Sequence, residues 1–120
     1  MKVACTSTGS TLESPFDSRF GRAEKFIIYD TQSKAFSVID NEQNLEASQG
    51  AGVQAAMFVL DSGATALITG NIGPKAAQVI YGANIKVYQT DAATVGEALK
   101  LFEENKLTEL NKANVEGHWV

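Results

Sequence analysis

The chain is poor in the residues that most directly build metal centres and covalent chemistry. Its 120 residues include one cysteine, Cys5, and one histidine, His118. A lone thiol excludes an intramolecular disulfide and a four-thiolate cluster site within one chain. Cys5 sits inside an apolar run, where a small core residue is expected. Proline is scarce too, with only Pro15 and Pro74. No apolar run reaches the ~18 residues of a membrane span, and no basic-then-apolar leader opens the chain. A cytoplasmic location and no membrane partner are therefore expected. Basic charge is also short: Lys plus Arg number 10 against 14 Asp plus Glu, a net charge of −4. General nucleic-acid binders carry the opposite balance, so no nucleic-acid partner is expected.

What is present is an ordinary globular composition, 44% hydrophobic and 20% charged, sufficient for one domain with its own core. Lys2 to Thr6 is a short β-branched run that reads as a first strand buried on both faces. Lys25 to Asp30 and Ala35 to Asp40 flank the turn Thr31 to Lys34 and read as a hairpin. A polar crossover, Asn41 to Gln49, leads to a helical stripe of Val53, Ala56, Met57 and Leu60. Gly63 suits a left-handed cap for that helix. Thr65 to Thr69 is a fourth strand, and Pro74 stands where a second helix begins. Ile85 to Tyr88 is a fifth strand. Thr94 and Glu97 form a capping box for a third helix, whose buried stripe is Val95, Ala98, Leu99 and Phe102. The order β-β-β-α-β-α-β-α predicts an α/β fold with a mixed five-stranded sheet and helices on its faces. One domain spans 1–107, followed by a polar tail, 108–120.

The stretch from Phe16 to Ala23 is the unusual one. A plain connector is polar, yet this one holds Phe16, Phe20, Arg19 and Arg22. Aromatics want burial and guanidinium groups want an anion, which describes an anchored loop presenting charge.

With the first strand running up, right-handed crossovers bring the fourth and fifth strands up beside it. The upper edge then collects the hydroxyl-rich loop with Thr8, the stretch Arg19-Phe20-Gly21-Arg22, the turn Gly50-Ala51-Gly52, the turn Gly70-Asn71-Ile72-Gly73, and Lys75. Ligands of open α/β sheets bind at that carboxyl edge. Three helix N-termini are expected there, each presenting unpaired N–H groups, and the picture is of a small-anion site in an acidic protein. Gly50 and Gly52 equally suit close helix packing. Gly70 and Gly73 suit a turn. Each arginine also has a neighbouring acid, Asp17 or Glu24, as a partner. His118, in the tail, is a metal-ligand candidate on residue type alone.

Four blocks in order carry a resemblance: Arg19-Phe20-Gly21-Arg22-Ala23 before Phe26-Ile27-Ile28-Tyr29, Gly50 to Ala56, Thr69 to Ala76, and Gly82 to Tyr88. Together they resemble the dinitrogenase iron–molybdenum cofactor biosynthesis family, and within it the small orange-protein type. The resemblance implies a ribonuclease H-like fold and a non-enzymatic carrier of an anionic metal–sulfur cluster, either an iron–molybdenum or a molybdenum–copper sulfide, held without covalent attachment. It also implies cluster donor or acceptor proteins as partners. Nitrogenase-linked members often carry His-Phe-Gly where this chain has Arg19-Phe20-Gly21. A guanidinium stays protonated and has no lone pair for a metal, so electrostatic capture replaces ligation at this position.

Two other readings compete. Thr6 to Thr11 resembles the phosphate loop of flavodoxins, which implies a flavin or phosphate binder, although that loop should lead into a helix and here Pro15 and a strand follow. A regulatory interaction module is the third, with Trp119 in the tail as an anchor for a partner.

Overall fold

The computed structural model describes residues 1–42 and 50–115. The strands are β1 (Lys2–Ser7), β2 (Lys25–Asp30) and β3 (Phe36–Asp40), followed by helix α1 (Ala51–Asp61). Then come β4 (Ala66–Thr69), α2 (Pro74–Gly82), β5 (Lys86–Gln89), α3 (Val95–Glu103) and β6 (Thr108–Leu110). The sheet order is β3-β2-β1-β4-β5-β6. β1, β4 and β5 are parallel, and β2 is antiparallel to both its neighbours, as the hairpin reading predicted.

The five-strand expectation is corrected to six. Thr108–Leu110, read as polar tail, pairs antiparallel with β5. Three residues with one apolar side chain carry no periodicity, and the pairing comes from the otherwise open edge of β5 rather than from local pattern.

Alternation along the inner strands sends side chains to two separate cores. Ala4, Phe26, Ile28, Leu67 and Val87 join α1 and α2 on one face. Val3, Cys5, Ile27, Tyr29 and Ile68 join α3 on the other. This double burial explains why the inner strands read as nearly unbroken apolar runs. Cys5 is fully buried, and desolvation pushes its thiol far above the ordinary range, so it is a core residue as expected.

The capping details follow the sequence closely. Thr94 Oγ1 accepts the Glu97 N–H at 3.1 Å, while Glu97 Oε2 accepts from Ala93, one residue earlier than the standard box, at 3.4 Å. Gly63 takes φ 81° and Pro74 opens α2. The α1 stripe is rotated from the one predicted. Ala51, Ala55, Ala56 and Val59 are buried, whereas Met57 is 42% exposed. Small alanines permit close approach to the core, so the larger apolar residues lie on the flanks.

Candidate functional site

The register places the ends of β1, β3, β4 and β5 on one edge: Ser7 faces Lys25, Lys25 faces Asp40, and Thr69 faces Gln89. The loop from Thr8 to Glu24 crosses that edge and is tied down along its length. At its first end, Gly96 N–H donates to Leu12 at 2.7 Å, Val95 N–H to Ser14 at 3.1 Å, and Phe16 N–H to Ala93 at 3.1 Å. In the middle, Asn71 N–H donates to the Ser18 carbonyl at 2.6 Å and Phe20 N–H to the Asn71 carbonyl at 3.1 Å, a short parallel bridge between Arg19 and Asn71. At its far end, the buried Asn41 donates from Nδ2 to Ala23 at 2.7 Å and to Gly21 at 3.4 Å.

The two aromatics anchor the loop on opposite faces of the sheet. Phe20 is fully buried in the α1/α2 core, 5.5 Å from Phe26 between ring centroids. Phe16 packs against the α3 core. Below the loop, Thr6 Oγ1, next to last in β1, donates to the Asp17 carbonyl and holds it from beneath, 3.2 Å from Thr69 Oγ1 at the end of the adjacent β4.

At position 19 the neighbouring acid does pair with the arginine, while much of the side chain remains exposed. Asp17, only 6% exposed, accepts the Arg19 N–H at 2.9 Å and approaches Arg19 Nε at 3.5 Å, while the Arg19 side chain is 57% exposed. Among the described residues, its terminal guanidinium nitrogens make no ion pair. Arg22 is half-buried, and Lys75 is exposed in the first turn of α2.

Of the three helix N-termini expected to be open, that of α3 is closed. In α3 the N–H groups of Val95, Gly96 and Glu97 are taken by Ser14, Leu12 and Thr94. Among the described residues, those of α1 and α2 have no side-chain cap, and Pro74 contributes no N–H of its own. The glycines divide similarly. Gly50 caps α1 with φ 81°, a backbone angle that favours glycine, and among the described residues nothing lies within 4 Å of where a Cβ would stand. Gly70 lies so close to Ser18 that an added Cβ would stand 2.8 Å from the Ser18 carbonyl oxygen. Gly73 and Ala51 are buried at the starts of α2 and α1, and Gly52 is half-buried.

Arg19, Phe20, Asn71 and Ile72 are thus brought together, and Gly21 stands beside Asn41. Thr8 is not part of that group. Its N–H and Oγ1 both turn onto the Pro15 carbonyl, at 3.1 and 3.0 Å. Ser7 Oγ pairs with Gly9, and Thr11 N–H with Ser14 Oγ, so this loop's hydroxyls are internally bonded rather than arranged for a phosphate. His118 and Trp119 lie outside the described residues. Among the described residues, no three of His, Cys, Asp and Glu gather where they could hold a metal ion, and no helix is long and apolar enough to cross a membrane.

Sequence reasoning missed Thr6, Thr69, Asn41, Gly96 and Asn114, all of which shape the edge through long-range bonds. The only local signal is a threonine ending each of two neighbouring apolar strands. Asn114 accepts the Ile72 N–H at 2.8 Å, from 42 positions away.

A family model described as dinitrogenase iron-molybdenum cofactor matches residues 1–105. A protein of Methanocaldococcus jannaschii is 36% identical over 110 residues, covering 89% of each chain. The apo form of the orange protein from Desulfovibrio gigas is similar at a TM-score of 0.91 and 36% identity, over 95% of this chain and 96% of that one. A putative NifB protein from Thermotoga is similar at a TM-score of 0.85 and 37% identity, over 97% and 98%. With the matched model covering every element through α3 and these likenesses extending over almost the whole fold, the chain belongs to the dinitrogenase iron-molybdenum cofactor family.

Proposed function

We propose that this protein is a non-enzymatic carrier of an anionic metal–sulfur cluster, of the iron–molybdenum or molybdenum–copper sulfide type. Family membership and the likeness to the orange protein support the class of cargo. The observation that carries the reading is the loop itself. It is anchored in both cores and bonded to three neighbouring segments, and it holds Arg19 exposed beside the uncapped start of α2. Rigid donors aimed at a charge need little reorganisation on binding, which favours retention without covalent attachment.

The donor set fits an anion better than a bare metal ion. Cys5 is buried in the core, and arginine and lysine cannot ligate through a protonated nitrogen. The grip is therefore electrostatic, from Arg19, Lys75 and the α2 N-terminus. The ribonuclease H-like assignment belongs with this reading, supported by the 3-2-1-4-5 strand order with β2 reversed. A cytoplasmic location and exchange with cluster donor or acceptor proteins complete it.

Reconstitution with thiomolybdate plus copper, or with isolated iron–molybdenum cofactor, tests the proposal by absorption and metal analysis after desalting. A retained chromophore is expected. Arg19→Ala should lower retention about tenfold, the worth of one charge-assisted hydrogen bond. Protein that emerges colourless and metal-free from every such mixture would rule the carrier out.

A further inference from the structure

The segment after β6 lies beyond the residues that the family model matches, 1–105. One side chain from it nevertheless reaches the middle of the candidate edge. Asn114 Oδ1 accepts the Ile72 N–H at 2.8 Å, and Nδ2 donates to the Gly70 carbonyl at 3.0 Å and approaches Asn71 Oδ1 at 3.5 Å. The Asn114 N–H donates to the Ile72 carbonyl at 3.2 Å. The approach to this position is itself held in place. β6 pairs with β5, Tyr81 OH donates to the Leu110 carbonyl at 2.6 Å, and Ala113 packs on the α1/α2 core.

Resting on the carrier reading above, we infer that Asn114 is a positioning residue of the anion site, a C-terminal latch that fixes the turn from Gly70 to Gly73. The residue type matters. A carboxamide offers a donor and an acceptor together, so one side chain serves the Ile72 N–H and also the Gly70 carbonyl, which Gln89 Nε2 reaches as well. Ile72 is fully buried, and leaving its N–H without a partner would loosen the turn. An aspartate could accept the same N–H, but it would set a formal negative charge beside an edge that receives an anion. Asparagine closes the turn and leaves that edge positive. The N–H groups after Pro74, together with Lys75, are then aimed outward from a fixed base.

Asn114→Ala and Asn114→Asp in the full chain test this, with two readouts. In the protein without cargo, amide exchange at Ile72 should accelerate about tenfold or more in the alanine variant, while Ile68 and Val87 in the sheet keep their protection. The aspartate variant should keep Ile72 protected, because its acceptor remains and Gln89 Nε2 still reaches the Gly70 carbonyl at 3.2 Å. Retention of the copper–thiomolybdate chromophore should fall severalfold in the alanine variant and further in the aspartate one. A purely structural role would leave the aspartate variant like the wild type. Unchanged Ile72 exchange in the alanine variant overturns the latch, and so does wild-type retention in both variants. If the wild type itself keeps no chromophore, the carrier reading fails, and Ile72 exchange alone then decides the latch.

Discussion

A methyl group at position 70 would stand 2.7 Å from Ser18 Cβ, 2.8 Å from its carbonyl oxygen and 2.9 Å from its Cα. The crossing loop has no room to retreat there, because Asn71 N–H holds the same Ser18 carbonyl at 2.6 Å. Gly70→Ala should cost about 1–3 kcal/mol, as overpacking against backbone does, read as a shift of the denaturant midpoint. Chromophore retention should fall alongside it, since the loop that moves is the one carrying Arg19. A variant as stable as the wild type would mean that the loop yields freely. The glycine itself was visible in the sequence as a turn residue. Its actual constraint was not, because the atoms it avoids belong to a residue 52 positions earlier. Asp17 is a similar case: its acidity beside Arg19 was legible, but its burial at 6% exposure and the bond its carbonyl accepts from Thr6, 11 positions earlier, were not.

At the scale of elements, the hairpin shows local chemistry behaving as read. The turn Thr31 to Lys34 closes on Asp30, whose Oδ1 accepts the N–H groups of Gln32 and Ser33 at 2.8 and 3.4 Å. Those bonds, the largest influence, hold the Asp30 carboxyl below its ordinary value. A depressed folded-state value gives stability that is present above the unfolded-state pKa and is lost as pH falls through the folded one. Asp30→Asn keeps an acceptor for the turn and removes the titration. Its stability should therefore decline less steeply than the wild type's between neutral and acid pH, and parallel acid limbs would refute the assignment. The loop from Thr8 to Glu24 behaves differently from the hairpin. Its sequence showed anchors and charge, and both were placed as read. Its attachments were invisible, because they come from three distant segments: Ala93 to Gly96 at the start of α3, Asn71 after β4, and Asn41 after β3. A neighbour effect also completes the N-terminus of α3: Thr94 holds the Glu97 N–H locally, and the loop's Ser14 and Leu12 take those of Val95 and Gly96.

For the whole molecule, the decisive feature is where the charge sits. A chain of net charge −4 carries Arg19 and Lys75 on the edge where two helices begin uncapped. Attraction across such an exposed edge is screened by salt, and the Debye length shrinks from about 10 Å at 0.1 M to about 3 Å at 1 M. Retention of an anionic cluster should fall steeply over that range, as measured by chromophore loss on gel filtration. Retention that ignores salt would point to a buried or covalent mode of holding and against the grip described above.

By itself the sequence determined what local chemistry decides: the apolar strands, the hairpin, three helices and an aromatic-basic loop. Periodicity, caps and turns act within a few residues, so they can be read from a short window. Only the tertiary structure decided the sixth strand, the rotated face of α1, the closing of α3 by the loop, and the contact of Asn114 with the turn at Ile72. Each of these depends on which hydrogen-bonding groups and surfaces remain open after the other elements have packed, and that is a property of the assembled chain.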